Sequence, residues 1–261
     1  MSTLNDTPID VRELDGKVQR MYTDVAEHPD GTFHFETGRA VAERLGYPED
    51  LLDAIPQEAL ASFAGVGWFL DLADLRGGER VVDFGSGSGT DSFAAAHLVG
   101  PTGRVRGLEY TDAQLAKASR LATEVGATQL DFTAGRIERA PFGDNTADCV
   151  ISNGVINLIV DKQAVIAEAA RLLRPGGRLA IADIVTEQPL TDTIVRNADL
   201  WASCVGGAAQ QDDYLRMIER SGLEVQHTRV NDYGFLSDQA RGASRTYGVK
   251  SVSVLAVKPQ Q

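Results

Sequence analysis

Apolar residues recur along this chain with two different spacings. Between residues 11 and 26 they return every three or four positions, which predicts a helix. Shorter helical patterns follow around residues 40–45 and over residues 48–61. From residue 79 onward, short apolar runs bounded by charged residues and glycines alternate with helical patterns. This alternation predicts an N-terminal helical part followed by an α/β domain with a mostly parallel sheet.

The short apolar runs predict seven strands. Five of them alternate with helices and should lie parallel, because a helix between two strands returns the chain to the same edge of the sheet. The last two have only a connection of about twenty residues between them and are predicted to form an antiparallel pair at the sheet edge. The predicted strands are residues 81–84, 104–109, 129–133, 149–153, 178–184, 222–230 and 251–257.

A glycine-rich turn follows the first predicted strand. Residues 85–89 read Gly-Ser-Gly-Ser-Gly, and a helical pattern starts directly after them. Glycine allows the backbone to turn tightly and to approach a ligand closely, and the N-terminus of a helix carries unpaired N–H groups. The second predicted strand ends in Glu109, 24 positions after Gly85 (109 minus 85). A carboxylate at this place can accept hydrogen bonds from both ribose hydroxyls, so a nucleotide-containing cofactor is predicted.

Charge and composition narrow the possible partners. The chain has 261 residues and a formal net charge of −12, which argues against binding the phosphate backbone of a nucleic acid. Its two cysteines, Cys149 and Cys204, cannot form a disulfide framework and fit a reducing compartment. No apolar run approaches 18 residues and the N-terminus is polar. The prediction is a cytoplasmic protein, monomer or homodimer, that acts on a small molecule without a membrane or metal.

Three motifs together carry a family resemblance. The third glycine of the turn comes one place earlier than in dinucleotide-binding proteins, where this chain has Thr90. Asp83 precedes the first glycine by two places, and residues 173–179 read Leu-Arg-Pro-Gly-Gly-Arg-Leu. The combination resembles class I S-adenosylmethionine-dependent methyltransferases. The resemblance implies a Rossmann-like, seven-stranded, mostly parallel sheet over residues 76–261, with an N-terminal helical lid and substrate-binding region over residues 1–75.

A closer resemblance, to bacterial arsenite methyltransferases, extends from about residue 18 to residue 225. It implies S-adenosylmethionine as cofactor, S-adenosylhomocysteine as product, and Tyr22 as a lid tyrosine that closes over the cofactor. The segments that carry it are Leu45-Gly46-Tyr47, Ile55-Pro56, Gly100-Pro101-Thr102-Gly103-Arg104-Val105, Ser152-Asn153, Val155-Ile156-Asn157-Leu158, Asp161-Lys162, and Cys204 with Gly207-Ala208. The cofactor-binding residues predicted from this resemblance and the glycine turn are Tyr22, Asp83, Gly85, Ser86, Gly87, Gly89, Glu109, Tyr110, Ile137, Glu138 and Asn153.

The chain departs from this family at the cysteines that hold arsenic. It has Val66 and Gly154 where the resemblance implies two of them, and Cys204 alone remains in register. Capture of a soft metalloid needs several converging thiolates. Phe33, Phe35 and Trp68 instead suggest an aromatic pocket, so these three residues and Cys204 are the predicted substrate contacts.

The predicted function is therefore methyl transfer to an oxygen, nitrogen, carbon or sulfur atom of a small organic molecule, for example in biosynthesis of secondary metabolites. Three alternatives stay open at this stage. The first is an arsenite methyltransferase that uses Cys204 and external thiols. The second is a protein that binds S-adenosylmethionine without transferring methyl, such as a cyclase or a regulator. The third, a nicotinamide-dependent oxidoreductase, is disfavoured by the glycine spacing.

His34 and Tyr22 are the candidate catalytic residues. An acceptor such as a phenol must lose a proton, and an imidazole titrates near neutral pH. Each residue also has a purely structural interpretation, His34 as an ordinary loop histidine and Tyr22 as a core residue of the first helix.

Overall fold

The structure is a computed structural model that describes residues 10–197, 200–201 and 205–260. Five helices precede the first strand. The first begins where the Asp10 carboxylate accepts a hydrogen bond of 2.9 Å from the backbone N–H of Arg12, and its apolar stripe faces the interior. Helices α3 and α4 follow Pro48 and Pro56, residues that are favourable just before a helix. The five helices are α1 (Val11–Glu27), α2 (Arg39–Leu45), α3 (Glu49–Asp53), α4 (Gln57–Ala61) and α5 (Leu70–Ala73).

Eight strands then form one sheet. They are β1 (Arg80–Phe84), β2 (Arg104–Glu109), β3 (Leu130–Ala134), β4 (Ala147–Asn153), β5 (Leu173–Thr186), β6 (Ala209–Gln210), β7 (Glu224–Val230) and β8 (Lys250–Val257). Their order is β3-β2-β1-β4-β5-β8-β7, and the two-residue strand β6 pairs with β5. Strands β1 to β5 are mutually parallel, while β8 is antiparallel to both β5 and β7. The predicted α/β class and the antiparallel pair at the edge are confirmed, with β6 as an addition too short to leave a pattern.

The helices between the strands cover both faces of the sheet. They are α6 (Thr90–Val99), α7 (Asp112–Glu124), α8 (Lys162–Leu172), α9 (Asp192–Val195), α10 (Gln211–Arg220) and α11 (Asp238–Tyr247), and a 3-10 helix covers Ile156–Leu158. Within the described residues no helix is both long enough and apolar enough to cross a membrane.

The N-terminal helices pack directly on one face of the sheet. Val41, Leu52 and Phe69 belong to the same buried apolar cluster as the strand residues Val81 and Ile151. Each of these side chains is at most 1% exposed. The helical part therefore shares a core with the α/β part, and the division into residues 1–75 and 76–261 stays an interpretation of the sequence.

The opposite face carries a second apolar cluster. Its strand residues include Val82, Val150 and Leu179, each next in sequence to a residue that faces the N-terminal helices. They share this cluster with Ile166 of α8 and Ile218 of α10. Side chains alternate between the faces of a strand, so a strand covered on both sides must be apolar at consecutive positions. This explains why the predicted strands read as continuous apolar runs.

Two helical regions differ from the sequence prediction. The pattern over residues 48–61 is two short helices separated at residues 54–56, because Pro56 cannot continue α3. The connection between the last two strands contains α11, which begins where Ser237 accepts a hydrogen bond from the backbone N–H of Ala240. Its apolar positions Ala240, Ala243 and Tyr247 recur at helical spacing, but they are few and small among polar residues, and Gly242 lies between them.

Gly107, in the middle of β2, provides a test of the packing around the sheet. A Cβ at this position would collide with the ring of Phe132 and lie 2.7 Å from Ser86 Oγ. We expect Gly107→Ala to lower the free energy of unfolding by about 1–3 kcal/mol in chemical denaturation, because overpacked cores must shift.

Gly242→Ala is the matched control. This glycine is inside α11 and a Cβ there has no neighbour within 4 Å, so alanine should stabilise the helix by up to about 1 kcal/mol. Equal effects of the two substitutions would contradict the packing argument.

Candidate functional site

A cavity that is partly open to solvent lies where β1, β2 and β4 end. The strand order reverses between β1 and β4, because β2 and β3 lie on one side of β1 and the later strands on the other. Ligands bind at such reversal points in open α/β sheets, outside the carboxyl ends of the strands. The cavity is lined by residues of α1, of the segment 62–65, of the glycine turn, and of the loops that follow β2, β3 and β4.

The glycine turn after β1 requires backbone conformations that favour glycine. Gly85, Gly87 and Gly89 have φ angles of 71°, 55° and 97°. A Cβ on Gly85 would lie 2.5 Å from the side chain of Val155, which comes from the loop after β4. The turn therefore allows two loops to meet closely at the cavity wall.

Glu109 lies at the end of β2, with its carboxylate held by backbone amides. Its Oε2 accepts a hydrogen bond of 2.9 Å from the N–H of Gly87, and its Oε1 accepts bonds of 2.9 Å and 2.7 Å from the N–H groups of Tyr110 and Thr111. The side chain lines the cavity although it is only 7% exposed. Such support fixes the orientation of an acceptor for hydroxyl groups.

A buried polar network forms the inner end of the cavity. The phenol of Tyr47 donates a hydrogen bond of 2.5 Å to Asp91 Oδ1, and Asn153 Nδ2 donates one of 3.0 Å to Asp91 Oδ2. Asn153 Oδ1 in turn accepts a bond of 2.8 Å from the N–H of Val66. Beside this network Ser92 Oγ donates to Asp83 Oδ2 at 2.6 Å. The side-chain amide of Asn153 is thus largely occupied by protein partners.

Burial alters the acidity of these groups. It raises the pKa of Asp83 to about 8, with a further contribution from the negative charges of Asp91 and Glu109. Burial also raises the pKa of Asp91 to about 6, against the opposing effect of the hydrogen bonds from Tyr47 and Asn153. The pKa of Tyr47 lies well above its usual value because of burial and the neighbouring Asp91.

The outer end of the cavity is closed by charged residues around Arg136. Its guanidinium forms ion pairs with Asp15 of α1 at 2.9 Å and with Glu138 at 3.0 Å. It also lies 4.9 Å from the centroid of the Tyr110 ring, within range of a cation–π interaction. Ile137, between these charged residues, is buried and lines the cavity. Arg136 therefore links the N-terminal helix to the loop after β3.

Tyr22 brings an aromatic ring from α1 to the cavity. Its ring stacks on Phe35 with a centroid distance of 6.1 Å, and Phe35 stacks on Phe33 at 5.6 Å. The main-chain carbonyl of Tyr22 accepts a hydrogen bond of 2.9 Å from Gln114 in α7. The stack extends away from the cavity, which only its first ring lines.

The structure brings most of the predicted cofactor residues together. The predicted residues that line the cavity are Tyr22, Asp83, Gly85, Ser86, Gly87, Glu109, Tyr110, Ile137, Glu138 and Asn153. Gly89 is not among the lining residues and instead precedes the first residue of α6. The roles of these residues toward a cofactor stay predictions.

The residues predicted to contact the substrate, in contrast to most of the predicted cofactor residues, do not line the cavity where the structure describes them. Phe33, His34 and Phe35 do not line the cavity, and the imidazole of His34 packs edge-on against Phe35 at 4.7 Å. Trp68 packs against Tyr47 with a centroid distance of 4.6 Å and faces a separate groove. Cys204 lies outside the described residues. Their roles in substrate binding or catalysis stay predictions.

Sequence reasoning missed several residues of the cavity. Asp91 lies two residues after the turn motif, in the first turn of α6, and its position just after a glycine turn is the signal that could have identified it. Asp15 and Arg136 are 121 positions apart and nothing in either local sequence indicates the ion pair. The polar and charged residues missed include Asp15, Asp91, Thr111, Gln114 and Arg136.

Val66 and Gly154, which occupy two of the positions where the family resemblance implies arsenic-binding cysteines, are neighbours in the structure. A Cβ on Gly154 would lie 3.1 Å from Val66 Cγ1. Cys149, by contrast, lies on β4 and is buried, and burial raises the pKa of its thiol to about 12. In the part of the chain that the structure describes, no group of three or more histidine, cysteine, aspartate or glutamate side chains is arranged to hold a metal ion.

The fold is that of the class I methyltransferases, a class whose cofactor is S-adenosylmethionine. A family model described as a methyltransferase domain matches residues 75–222, more than half of the chain. The chain belongs to this methyltransferase domain family.

Several relatives carry a more specific name. The chain is 36% identical over 228 residues to an arsenite methyltransferase of Halobacterium salinarum, covering 86% of this chain and 58% of that protein. It is 37% identical over 180 residues to an arsenite methyltransferase of Aquipseudomonas alcaligenes, covering 66% of this chain and 51% of that protein. The chain thus spans a little over half of the length of these curated relatives.

A solved structure agrees with this relationship. It is the crystal structure of an arsenic(III) S-adenosylmethionine methyltransferase from Chlamydomonas reinhardtii. The TM-score is 0.64 and the identity 29%, over 85% of this chain and 74% of that chain.

The Asp15–Arg136 pair yields a prediction about the N-terminal helix. Both side chains are partly exposed, so Asp15→Asn should change the free energy of unfolding by less than about 1 kcal/mol. It should nevertheless release the outer end of the cavity, and hydrogen exchange of the α1 amides should become faster than in the wild type.

Asp213→Asn provides the control for this measurement. Asp213 pairs with Arg216 on the surface of α10 and does not contact α1. Unchanged exchange in α1 of the Asp15→Asn protein would show that the ion pair does not hold the helix.

Proposed function

We propose that this protein is an enzyme that transfers the methyl group of S-adenosylmethionine to a small organic acceptor. The observation that carries the proposal is the Glu109 carboxylate, held by three backbone amides at the edge of a cavity with a glycine turn. The relatives are longer proteins, so their activity is transferred to this chain as a proposal.

The lining residues fit the parts of this cofactor. Glu109 would accept hydrogen bonds from the ribose hydroxyls, as its position after β2 indicates. Ile137 and Glu138 would adjoin the adenine, the first with an apolar surface and the second with a hydrogen-bond acceptor. Asp83 and Asp91 would adjoin the positively charged methionine part.

The protein's own task in this reaction is positioning. S-adenosylmethionine supplies a methyl group activated on a sulfonium, which an aligned nucleophile can displace. Tyr22 and the rest of α1 would cover the cavity, exclude water and hold the acceptor in line. Where the acceptor must lose a proton, Tyr22 and His34 are the candidate bases, and Tyr22 lines the cavity.

The residue types at positions 66 and 154, valine and glycine, support an organic acceptor because neither can bind a metalloid. Valine and glycine stand side by side there and leave an apolar wall without a thiol. Of the two cysteines, Cys149 is buried in the sheet with a thiol that stays protonated, so only Cys204 is a candidate ligand. A single thiolate is poor support for binding trivalent arsenic.

Arsenite is the second candidate acceptor, and the comparisons favour it. Two relatives whose similarity covers 86% and 66% of this chain are named arsenite methyltransferases. In this case Cys204 and external thiols would supply the ligands, with arsenic as substrate.

A protein that binds the cofactor without transferring methyl, as a cyclase or regulator would, is a further alternative from a different class. Cofactor binding alone does not distinguish it from the enzyme, so turnover must be measured. The cytoplasmic location, the absence of a nucleic-acid partner and the monomeric or homodimeric state also stay predictions.

Calorimetric titration with S-adenosylmethionine and S-adenosylhomocysteine tests the cofactor site. We expect micromolar binding of both by the wild type. Glu109→Gln should weaken both by about 10- to 100-fold, because hydrogen bonds to a charged acceptor contribute about 1.5–3 kcal/mol.

Glu124→Gln is the control, since Glu124 is exposed on α7 and pairs with Arg120 far along the helix from the cavity. Absence of binding by folded wild-type protein would refute the methyltransferase proposal.

Transfer of labelled methyl groups tests the acceptor. Wild-type protein is incubated with S-adenosylmethionine and either small aromatic acceptors or arsenite plus an external thiol. We expect label in an organic product, with turnover largely retained in Cys204→Ser, because serine keeps the size of this predicted substrate contact and an organic acceptor needs no thiolate ligand. Cys149→Ala is the control for loss of a buried cysteine.

Arsenite-dependent methylation that is lost in Cys204→Ser would instead establish the second candidate. Label in no product, despite cofactor binding, would favour the protein without methyl transfer. In the same assay a general base contributes about 100- to 10,000-fold, so little loss in His34→Ala would exclude His34 from that role.

A further inference from the structure

The cofactor cavity is strongly acidic. Five carboxylates line it, whereas Arg136 is the one lysine or arginine among its described lining residues. Five negative charges and one positive charge give a formal charge of −4. Arg136 lies at the outer end and already pairs with two of the acids. The acidic lining residues are Asp15, Asp83, Asp91, Glu109 and Glu138.

Asp83 and Asp91 are two of the three buried acids in this group, the third being Glu109. They are 2% and 8% exposed, and within the described residues neither forms an ion pair. Asp83 accepts a hydrogen bond from Ser92, and Asp91 accepts bonds from Tyr47 and Asn153. Hydrogen bonds from neutral groups do not cancel the charge, so two buried carboxylates near each other are costly when both are ionised.

The acidity of the pair agrees with this geometry. Burial, followed by the charge of Asp91, raises the pKa of Asp83 to about 8, while burial raises the pKa of Asp91 to about 6. Near neutral pH the pair therefore holds about one proton. Among the described residues, the other titratable groups that act on the pair are the Tyr47 phenol and the carboxylate of Glu109.

The substrate and product forms of the cofactor differ in charge at this end. S-adenosylmethionine carries a sulfonium and an ammonium against one carboxylate, for a net charge of +1. S-adenosylhomocysteine has a neutral thioether and no net charge. A positive charge close to two carboxylates favours their ionised form, whereas the neutral thioether does not.

Resting on the proposed function, we infer that Asp83 and Asp91 share a proton before the cofactor binds and release it when S-adenosylmethionine binds. The site would thereby distinguish the charged cofactor from its product. Transfer of the methyl group removes the positive charge from the sulfur, and the pair then takes one proton back from solvent. The product lacks the sulfonium charge that the two carboxylates attract, so it binds more weakly than S-adenosylmethionine, which favours its release.

The first test counts protons with the wild-type protein. Calorimetric titrations at pH 7 in two buffers of different ionisation enthalpy give the number of protons released on binding. We expect close to one proton for S-adenosylmethionine and clearly fewer for S-adenosylhomocysteine. Because stabilisation by an ionised carboxylate is lost as the pH falls through its pKa, release of about one proton means that the Kd of S-adenosylmethionine should decrease about ten-fold per pH unit, or about 100-fold from pH 6 to pH 8. The Kd of S-adenosylhomocysteine should change much less.

The second test uses Asp91→Asn. Asparagine keeps an oxygen that can accept the bond from Tyr47, but it cannot ionise. Without the neighbouring charge, Asp83 ionises at lower pH, so the proton count at pH 7 should fall and the preference for S-adenosylmethionine should become less dependent on pH. Asp131→Asn is the control, because Asp131 pairs with Arg104 at the surface of β3 and should leave both quantities unchanged.

The outcomes separate this inference from the proposed function. Binding of both ligands with equal proton counts and equal pH dependence would overturn the inference and leave the proposed function intact. Binding of neither ligand would overturn both. If Asp131→Asn changed the proton count and the pH dependence as much as Asp91→Asn does, the inference would also be overturned. If Asp91→Asn does not fold, the proton count of the wild-type protein decides between the outcomes.

Discussion

The side-chain amide of Asn153 connects the parts of the chain on which the site depends. It bonds to Tyr47 from the N-terminal helical part, to the backbone at residues 66 and 67, and to Asp91 of α6. All of these groups are buried or half-buried, so an unpaired partner would be costly. The network therefore fixes the inner wall of the cavity and the position of the N-terminal helices together.

Much of this architecture could be predicted from the sequence, and the reason is local. The apolar run before the glycine turn and the acidic end of β2 are each encoded within a few residues, and parallel strands bring such ends to one edge. The bonds of Asp91 to Tyr47 and Asn153, like the ion pair of Asp15 with Arg136, join segments that meet only in the folded chain. The loop that carries Phe33, His34 and Phe35 could not be placed, because aromatic composition does not determine where a loop runs.

Two kinds of observation bear on the acceptor and point in different directions. Similarity to the relatives extends over most of the chain and reflects a common fold, which includes the part of the sheet that forms the cavity. The residues at positions 66 and 154 are a local difference; they are neighbours, and Gly154 lines the cavity. A change confined to neighbouring side chains can alter what a pocket accepts while the scaffold stays the same.

Strand β8 lies between β5 and β7, although it follows both in sequence. During synthesis the hydrogen-bonding edge of β5 therefore has no partner along most of its length until residues 250–257 have left the ribosome. The unpaired backbone N–H and C=O groups of such a strand can form hydrogen bonds with other chains and so cause aggregation. The sheet is thus completed only by the strand that comes last among its members in sequence, and the period before that strand is synthesised is the one in which protection from aggregation matters most.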